Sequence, residues 1–400
     1  MKRRYTDEAL IARIDPAALL ARTQAWSTVN SGTRNLHGLS HVAALLADAF
    51  SVLPGELSLV DGDEAENVGV DGAITQLTYG RHLRLIVRPQ AAVQMLFTGH
   101  MDTVYPVDHP FQALTWRDAN TLNGPGVADM KGGLSVMLEA LRVIEEAGAP
   151  DLGYEVLINS DEETGSFSSA RLIADAARGK HAALTYEPAL PDGTLAGARG
   201  GTGNFSVVVR GRAAHAGRNP QDGRNAIVAA SEVAIRLHEA RSPRLAVNPA
   251  RIDGGGPNNV VPDTAVLRVN FRPGDAGEIA RARDLIAMTT RGVAERHDVM
   301  VAVHGGFNRP PKPIDAGAAR LFALVKDAGT TLGLNIAWRD TGGVCDGNNI
   351  AAVGVPVVDT MGVRGGAIHS ADEYLLVDSL AERAALSALT ITSIAEGRLV

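Results

Sequence analysis

The sequence is poor in cysteine, in long apolar runs and in blocks of one charge, and each lack removes a class of protein. Cys345 is the only cysteine in 400 residues. One thiol cannot close a disulfide within the chain, and a thiolate zinc cluster is excluded. No stretch is long and apolar enough to span a bilayer, so a membrane is not an expected partner. The start of the chain is basic, but Asp7, Glu8, Arg13 and Asp15 interrupt any apolar h-region. No signal peptide is therefore expected, and the cytoplasm is the expected compartment. The formal net charge of -7, from 38 basic and 45 acidic residues, hides no basic block, so nucleic acid is not an expected partner either. Internal repeats and low-complexity tracts are absent.

Glycine is what the chain has in plenty. Its 43 glycines often fall in short clusters beside His, Asp and Glu. Glycine lets backbone approach a site closely or take positive φ, so such clusters point to built loops. Hydrophobic residues at 45% and charged residues at 21% are ordinary for a globular protein. A chain of this length is too long for one compact core, and two domains are the natural expectation.

The first half alternates short apolar runs with helical spacing. Ala92 to Phe97, Tyr154 to Ile158 and Ala182 to Tyr186 read as strands. Leu134 to Ala147 has Leu134, Met137, Leu138, Leu141 and Ile144 on one helical face, with Gly148 as a stop. Ser169 to Ala177 reads as a second helix. This alternation predicts an α/β fold, a sheet covered by helices. After the glycine-rich stretch Leu195 to Gly203 the pattern changes. Strands are expected at Phe205 to Arg210, Ala265 to Phe271 and Val299 to Val303. Helices are expected at Ala226 to Glu239 and Ala276 to Ala294. Residues 197–308 thus read as an inserted, smaller α+β domain, and 1–196 with 309–400 as a discontinuous first domain. Arg309-Pro-Pro-Lys-Pro313 reads as punctuation between them.

Acids and histidines gather just after the expected strands, at His100 and Asp102, at Asp161 to Glu163, at Glu187 and at His369. Ligands of open α/β sheets collect outside the carboxyl ends of strands. Asp129, in Gly124-Pro-Gly-Val-Ala-Asp129, is presented at a helix start. Two histidines and three carboxylates without cysteine suit zinc, and one carboxylate can bridge two metals. In His100-x-Asp102 the acid can fix the imidazole tautomer. Of the adjacent Glu162 and Glu163, one can ligate while the other stays free as a base. Taken singly, His100 reads as a core histidine, Cys345 as a small buried residue and Asp346 as a turn acid. The ordered set is what points to metal.

In Gly99-His-Met-Asp-Thr-Val104, Gly124 to Asp129 and Asp161-Glu-Glu-Thr-Gly-Ser-Phe167, the chain resembles the M20 metallopeptidases. Within them it resembles the glutamate carboxypeptidase (carboxypeptidase G2-like) branch. The resemblance runs from about Thr23 to the C-terminus. It implies a zinc-peptidase catalytic domain with a mixed sheet, and makes residues 197–308 a lid and dimerisation domain of a homodimer. It implies two zinc ions per chain, with cobalt or manganese as substitutes. Asp129 would bridge them, His100 and Glu187 would complete one site, and Glu163 and His369 the other. Asp102 would orient His100, Glu162 would be the general base, and a cis peptide would follow Asp129. His215, in Gly211-Arg-Ala-Ala-His215-Ala-Gly217, would stabilise the oxyanion, usually from the partner subunit. Asn259 and Arg272 would hold a substrate carboxylate, for which a guanidinium fork is well shaped. The chain departs from the branch at Thr341-Gly-Gly-Val-Cys-Asp-Gly347 and at Val363 to Ile368, where selectivity would be set. The expected activity is cleavage of an amide next to a free carboxylate, on a peptide or N-acyl amino acid. A deacylase of the acetylornithine or succinyl-diaminopimelate type is the first alternative. A non-catalytic metal-binding protein is the second.

Overall fold

A computed structural model describes residues 6–148 and 151–399. The basic start at residues 1–5 lies outside the described residues. Among the described residues, no helix is long and apolar enough to cross a membrane.

The larger unit is a six-stranded mixed sheet. Its strands lie in the order Glu56–Val60, His82–Val87, Leu152–Asn159, Val93–His100, Ala182–Thr185 and Val357–Val358. The first two run antiparallel to their neighbours, and the last four run parallel to one another. Side chains of a strand alternate between faces, and both faces here are covered. Met95, Phe97, Val156 and Ile158 join the main core beneath helices Pro16–Ser27, Leu36–Phe50, Gly132–Ala147, Ala316–Thr331 and Asp378–Ala395. Leu96, Leu157 and Ala183 point the other way, onto helices Ala170–Ala177 and Asp346–Ala352. That double burial is why these strands read as unbroken apolar runs. Each of these side chains larger than alanine contributes about 1.5–3 kcal/mol, and truncating Phe97 to Ala would cost about 3–5 kcal/mol.

The smaller unit is a four-stranded antiparallel sheet in the order Leu245–Gly254, Thr264–Pro273, Thr202–Arg210 and Met300–Arg309. Val207, Val209, Leu267 and Val269 face helices Ala226–Glu239 and Ala276–His297 and form a separate core. Val208 and Val266 emerge on the opposite face. There they meet Val68, from the hairpin of Ala65–Val68 and Ile74–Leu77. Asp275 starts the long helix by accepting the N–H groups of Gly277 and Glu278.

Two elements differ from the sequence reading. Leu245–Gly254 is a strand, although Pro249 removes a ladder donor and the register slips between Pro249 and Arg251. An edge position tolerates that break. The last strand continues past Val303 to Arg309 through Gly305, at φ 100, where a Cβ would meet the Asn204 carbonyl oxygen.

Candidate active site

The parallel strands aim their carboxyl ends at one cluster. Val93–His100 ends in His100 itself. Leu152–Asn159 runs into the turn Glu162–Thr164, and Ala182–Thr185 runs into Glu187. Asp129 lies in the bent segment Val127–Lys131, and the Asp129–Met130 peptide is cis, as the resemblance implied. His369 closes the set with a left-handed backbone at φ 64.

These residues form two triads that share Asp129. His100, Asp129 and Glu187 make one, and Asp129, Glu163 and His369 the other. In each triad the candidate ligand atoms lie within 4.8 Å of one another. His100 Nε2 is 3.0 Å from Asp129 Oδ1 and 3.8 Å from Glu187 Oε1. His369 Nε2 is 3.3 Å from Asp129 Oδ2 and 3.2 Å from Glu163 Oε2. The two oxygens of Asp129 thus face two different imidazoles, the arrangement of a bridging carboxylate.

Burial makes this a costly place for bare negative charge. It pushes Glu163 up to about 8, with the charge of Asp129 adding to the effect. Glu187 and Glu162 are raised for the same first reason, with Arg309 opposing the shift at Glu162. Hydrogen bonds to Asp129 and Glu163 lift His369 to about 11. Burial pulls His100 down, but Asp102, Asp129 and Glu187 outweigh it and the ring ends raised. Such a crowd of acids is relieved by cations. Imidazole nitrogens and carboxylate oxygens without thiolate fit a pair of divalent metals of the zinc, cobalt or manganese kind.

The supporting acids do more than the sequence suggested. His100 Nδ1 lies 3.0 Å from the Asp102 carbonyl oxygen and 3.4 Å from its carboxylate. The same carboxylate accepts Thr33 Oγ1 at 2.6 Å and the N–H groups of Glu162 and Glu163 at 3.2 Å each. Asp102 therefore joins His100 to the turn that carries both glutamates. Glu373, missed by the sequence reading, is buried beneath the Asp129 segment. It accepts N–H groups from Gly126 at 3.1 Å and from Ala128 and Asp129 at 3.0 Å, and the Tyr105 hydroxyl at 2.8 Å. Its one sequence signal is an acid four residues after His369. Asp372 beside it, exposed and paired with Arg117, obscures that signal.

The triads open into a cavity of about 850 Å³ lined also by Arg199, Arg272, Arg309, Arg339, Thr341 and Ile368. Both segments that depart from the branch pattern contribute to its wall. Arg272 comes to it from the smaller unit. His215 and Asn259 do not line it. His215 is exposed, and its loop is tied to the Asn259 segment by Ala216 N–H donating to the Asn259 carbonyl at 2.9 Å. Arg309 is buried instead of lying in a linker, with Nη2 2.7 Å from Glu162 Oε1. Asp346 is buried too, accepting from Asn159 and Ser166. Arg199 and Lys312 both pair with the buried Asp359, at 2.7 and 3.2 Å. Burial holds the Cys345 thiol well above its ordinary range, so it acts as packing.

The chain is similar to known proteins. The chain matches peptidase family M20/M25/M40 over residues 96–393. It is 31% identical over 322 residues to carboxypeptidase G2 of Pseudomonas sp. (strain RS-16), covering 78% of this chain and 76% of that one. It is 28% identical over 312 residues to a succinyl-diaminopimelate desuccinylase of Pseudoalteromonas translucida, covering 71% and 79%. A tripeptidase of Staphylococcus aureus has the same fold at a TM-score of 0.73 and 22% identity, over 96% of this chain and 99% of that one. The chain belongs to peptidase family M20/M25/M40 and is a metal-dependent hydrolase.

Proposed function

We propose that this enzyme works in the cytoplasm as a homodimer and cleaves an amide next to a free carboxylate, releasing a C-terminal amino acid, with glutamate or aspartate favoured. Residues 1–196 and 309–400 form its catalytic domain, and 197–308 its lid and dimerisation domain. His100, Asp129 and Glu187 would hold one zinc ion, and Asp129, Glu163 and His369 the other. When bound, the zinc pair supplies Lewis-acid polarisation of the carbonyl and acidifies water.

The observation that carries the reading is Glu162. It is 6% exposed, lines the cavity beside both triads and belongs to neither. A buried carboxylate spared from ligation can take the proton of the attacking water and return it to the leaving nitrogen. Asp102 keeps His100 and the Glu162 turn in register. His215 would meet the developing oxyanion from the neighbouring copy, and Asn259 would reach the substrate carboxylate with it. Arg272 gives Nε to Asn270 at 2.9 Å, which leaves its other N–H groups for a carboxylate. Arg339 lines the same cavity and forms no ion pair among the described residues. Two such guanidinium groups favour a substrate with two carboxylates. The desuccinylase relative favours a second reading, in which the acyl group carries the second carboxylate.

The test compares wild type with Glu162→Gln for zinc content and hydrolysis of N-acyl and peptidyl amino acids. The expected result is about two zincs per chain in both proteins, with turnover only in wild type. Equal turnover in the variant would sink the base role. Zinc-loaded wild type inert on the whole panel would favour the metal-binding alternative.

A further inference from the structure

Arg309 ends the strand Met300–Arg309, where the chain returns from the smaller unit to the larger one. The outgoing strand lies beside it, with Thr202 opposite Arg309. Arg199 and Lys312 then exchange backbone hydrogen bonds, 2.9 Å each. The two crossings between the units thus form one paired strap. The Arg309 side chain leaves this strap for the Glu162 turn. Its Nη2 is 2.7 Å from Glu162 Oε1. The same nitrogen donates to the Glu162 carbonyl and to Ser166 Oγ, both at 2.8 Å, and lies 3.5 Å from Asp346 Oδ1. Asn308, one residue earlier, donates Nδ2 to the Gly165 carbonyl at 2.6 Å. One end of the strap therefore grips the turn at Glu162, Gly165 and Ser166 together.

We propose that Arg309 is a positioning residue for hydrolysis, fixing the carboxylate and backbone of Glu162 from the strap that joins the lid to the catalytic domain. The proposal rests on Glu162 being the base. A glutamate has three side-chain torsions, and Glu162 shares its pocket with the acids Asp129, Glu163 and Glu187. Without a partner the carboxylate would turn about those torsions and leave the line of attack. Arg309 holds one oxygen and leaves the other for water. The two N–H groups of Nη2 are shared among the carboxylate, the carbonyl and the hydroxyl, and the planar guanidinium fixes their directions as a freely rotating ammonium does not. Arg309 Nε is buried with no hydrogen-bond partner among the described residues. The group is thus turned for its Nη2 contacts at the expense of another N–H, which a pair selected for stability alone would avoid.

The test uses the full-length, zinc-loaded enzyme and any substrate that wild type turns over. Arg309→Met should lower kcat about 10- to 100-fold, with KM and zinc content little changed, as for loss of a partner that orients a working group. Arg309→Lys should recover part of kcat. Adding Arg309→Met to Glu162→Gln should lower the residual rate no further, because both act through one carboxylate. An Arg309→Met enzyme within about twofold of wild-type kcat overturns the proposal. So does a loss confined to KM, or a double variant slowed by the full extra factor. If Arg309→Met does not fold, Ser166→Ala loosens the same grip and should lower kcat in the same direction; wild-type kcat there counts against the proposal. Activity retained in Glu162→Gln sinks the base assignment and this inference together. A dead Glu162→Gln beside an unimpaired Arg309→Met sinks this inference alone.

Discussion

Glu373 accepts the backbone N–H of Asp129 on Oε1 at 3.0 Å, across 244 residues of sequence. With the N–H groups of Gly126 and Ala128 bound to the same carboxylate, three donors of the Asp129 segment depend on one buried side chain. Glu373→Ala would strand them and let Asp129 drift. The expected outcome is zinc affinity weakened about 10- to 100-fold, read by competition with a chromogenic chelator. Unchanged affinity would mean that the glycines alone shape the segment.

The contrast between Asp129 and Glu373 shows what the sequence could convey. Asp129, His100 and Glu187 each follow a local signal, an apolar strand or a glycine turn, so their position along the chain already implies their place at the strand ends. Glu373 and Arg309 have no such signal, and the glycines near Asp346 suggest only a turn. Their partners are distant in sequence, 147 residues away for Arg309 and the Glu162 carbonyl, and only the closed fold brings them together. The same holds for the strands. Val93–His100, buried on both faces, announces itself as an apolar run. Leu245–Gly254 is an edge strand broken by Pro249, with mixed exposure, and offers no such run.

His82 makes stability depend on pH. It is fully buried, and its Nδ1 accepts the Ser160 N–H at 3.2 Å. The proton of the neutral ring therefore sits on Nε2, 3.4 Å from Ser168 Oγ. Burial depresses its pKa to about 4, against the pull of Asp102, Asp346 and Asp61. Between about 4 and the ordinary 6.5 the unfolded chain binds the extra proton and the folded chain does not. Stability from this group is complete above that window and falls as pH drops through it, by about 3 kcal/mol in all. Asp161, raised to about 7 by burial, acts in the opposite sense. The comparison must therefore be with His82→Asn, which keeps Asp161. Urea unfolding from pH 7 to pH 4 should show the advantage of wild type over the variant shrinking. A constant advantage would show that the protonated ring is accommodated.

His215 and Asn259 make a joint prediction. The bond from Ala216 N–H to the Asn259 carbonyl couples their segments, so whichever subunit supplies one supplies the other. Neither residue lines the cavity of its own chain. Mixing inactive His215→Ala with inactive Glu162→Gln, under conditions that exchange subunits, should restore activity to about a quarter of wild type, since half of the dimers are mixed and each holds one intact site. Mixing Asn259→Ala with Glu162→Gln should restore it likewise. No recovery in mixtures shown to contain heterodimers would place both residues in cis.

On the proposed function, Arg272 and Arg339, which both line the cavity, would divide the recognition of substrate between them. Arg272 sits on Thr264–Pro273, a strand of the smaller unit, whereas Arg339 sits on Trp338–Thr341, which pairs with Leu195–Arg199. Alternation puts Trp338 and Asp340 on one face of that ribbon, where both approach Gly197, and Arg339 with Thr341 on the other. Arg272→Ala should raise KM for every substrate, because each presents the carboxylate beside the scissile amide. Arg339→Ala should raise KM about tenfold only when a second carboxylate is present, the loss expected for one charge-assisted contact near solvent. N-acetylglutamate, N-acetylalanine and N-succinylalanine separate the cases. A selective loss on the first places the second carboxylate on the released amino acid, and a selective loss on the last places it on the acyl group. An equal loss on all three would make Arg339 part of the general binding surface and remove the argument for a dianionic substrate.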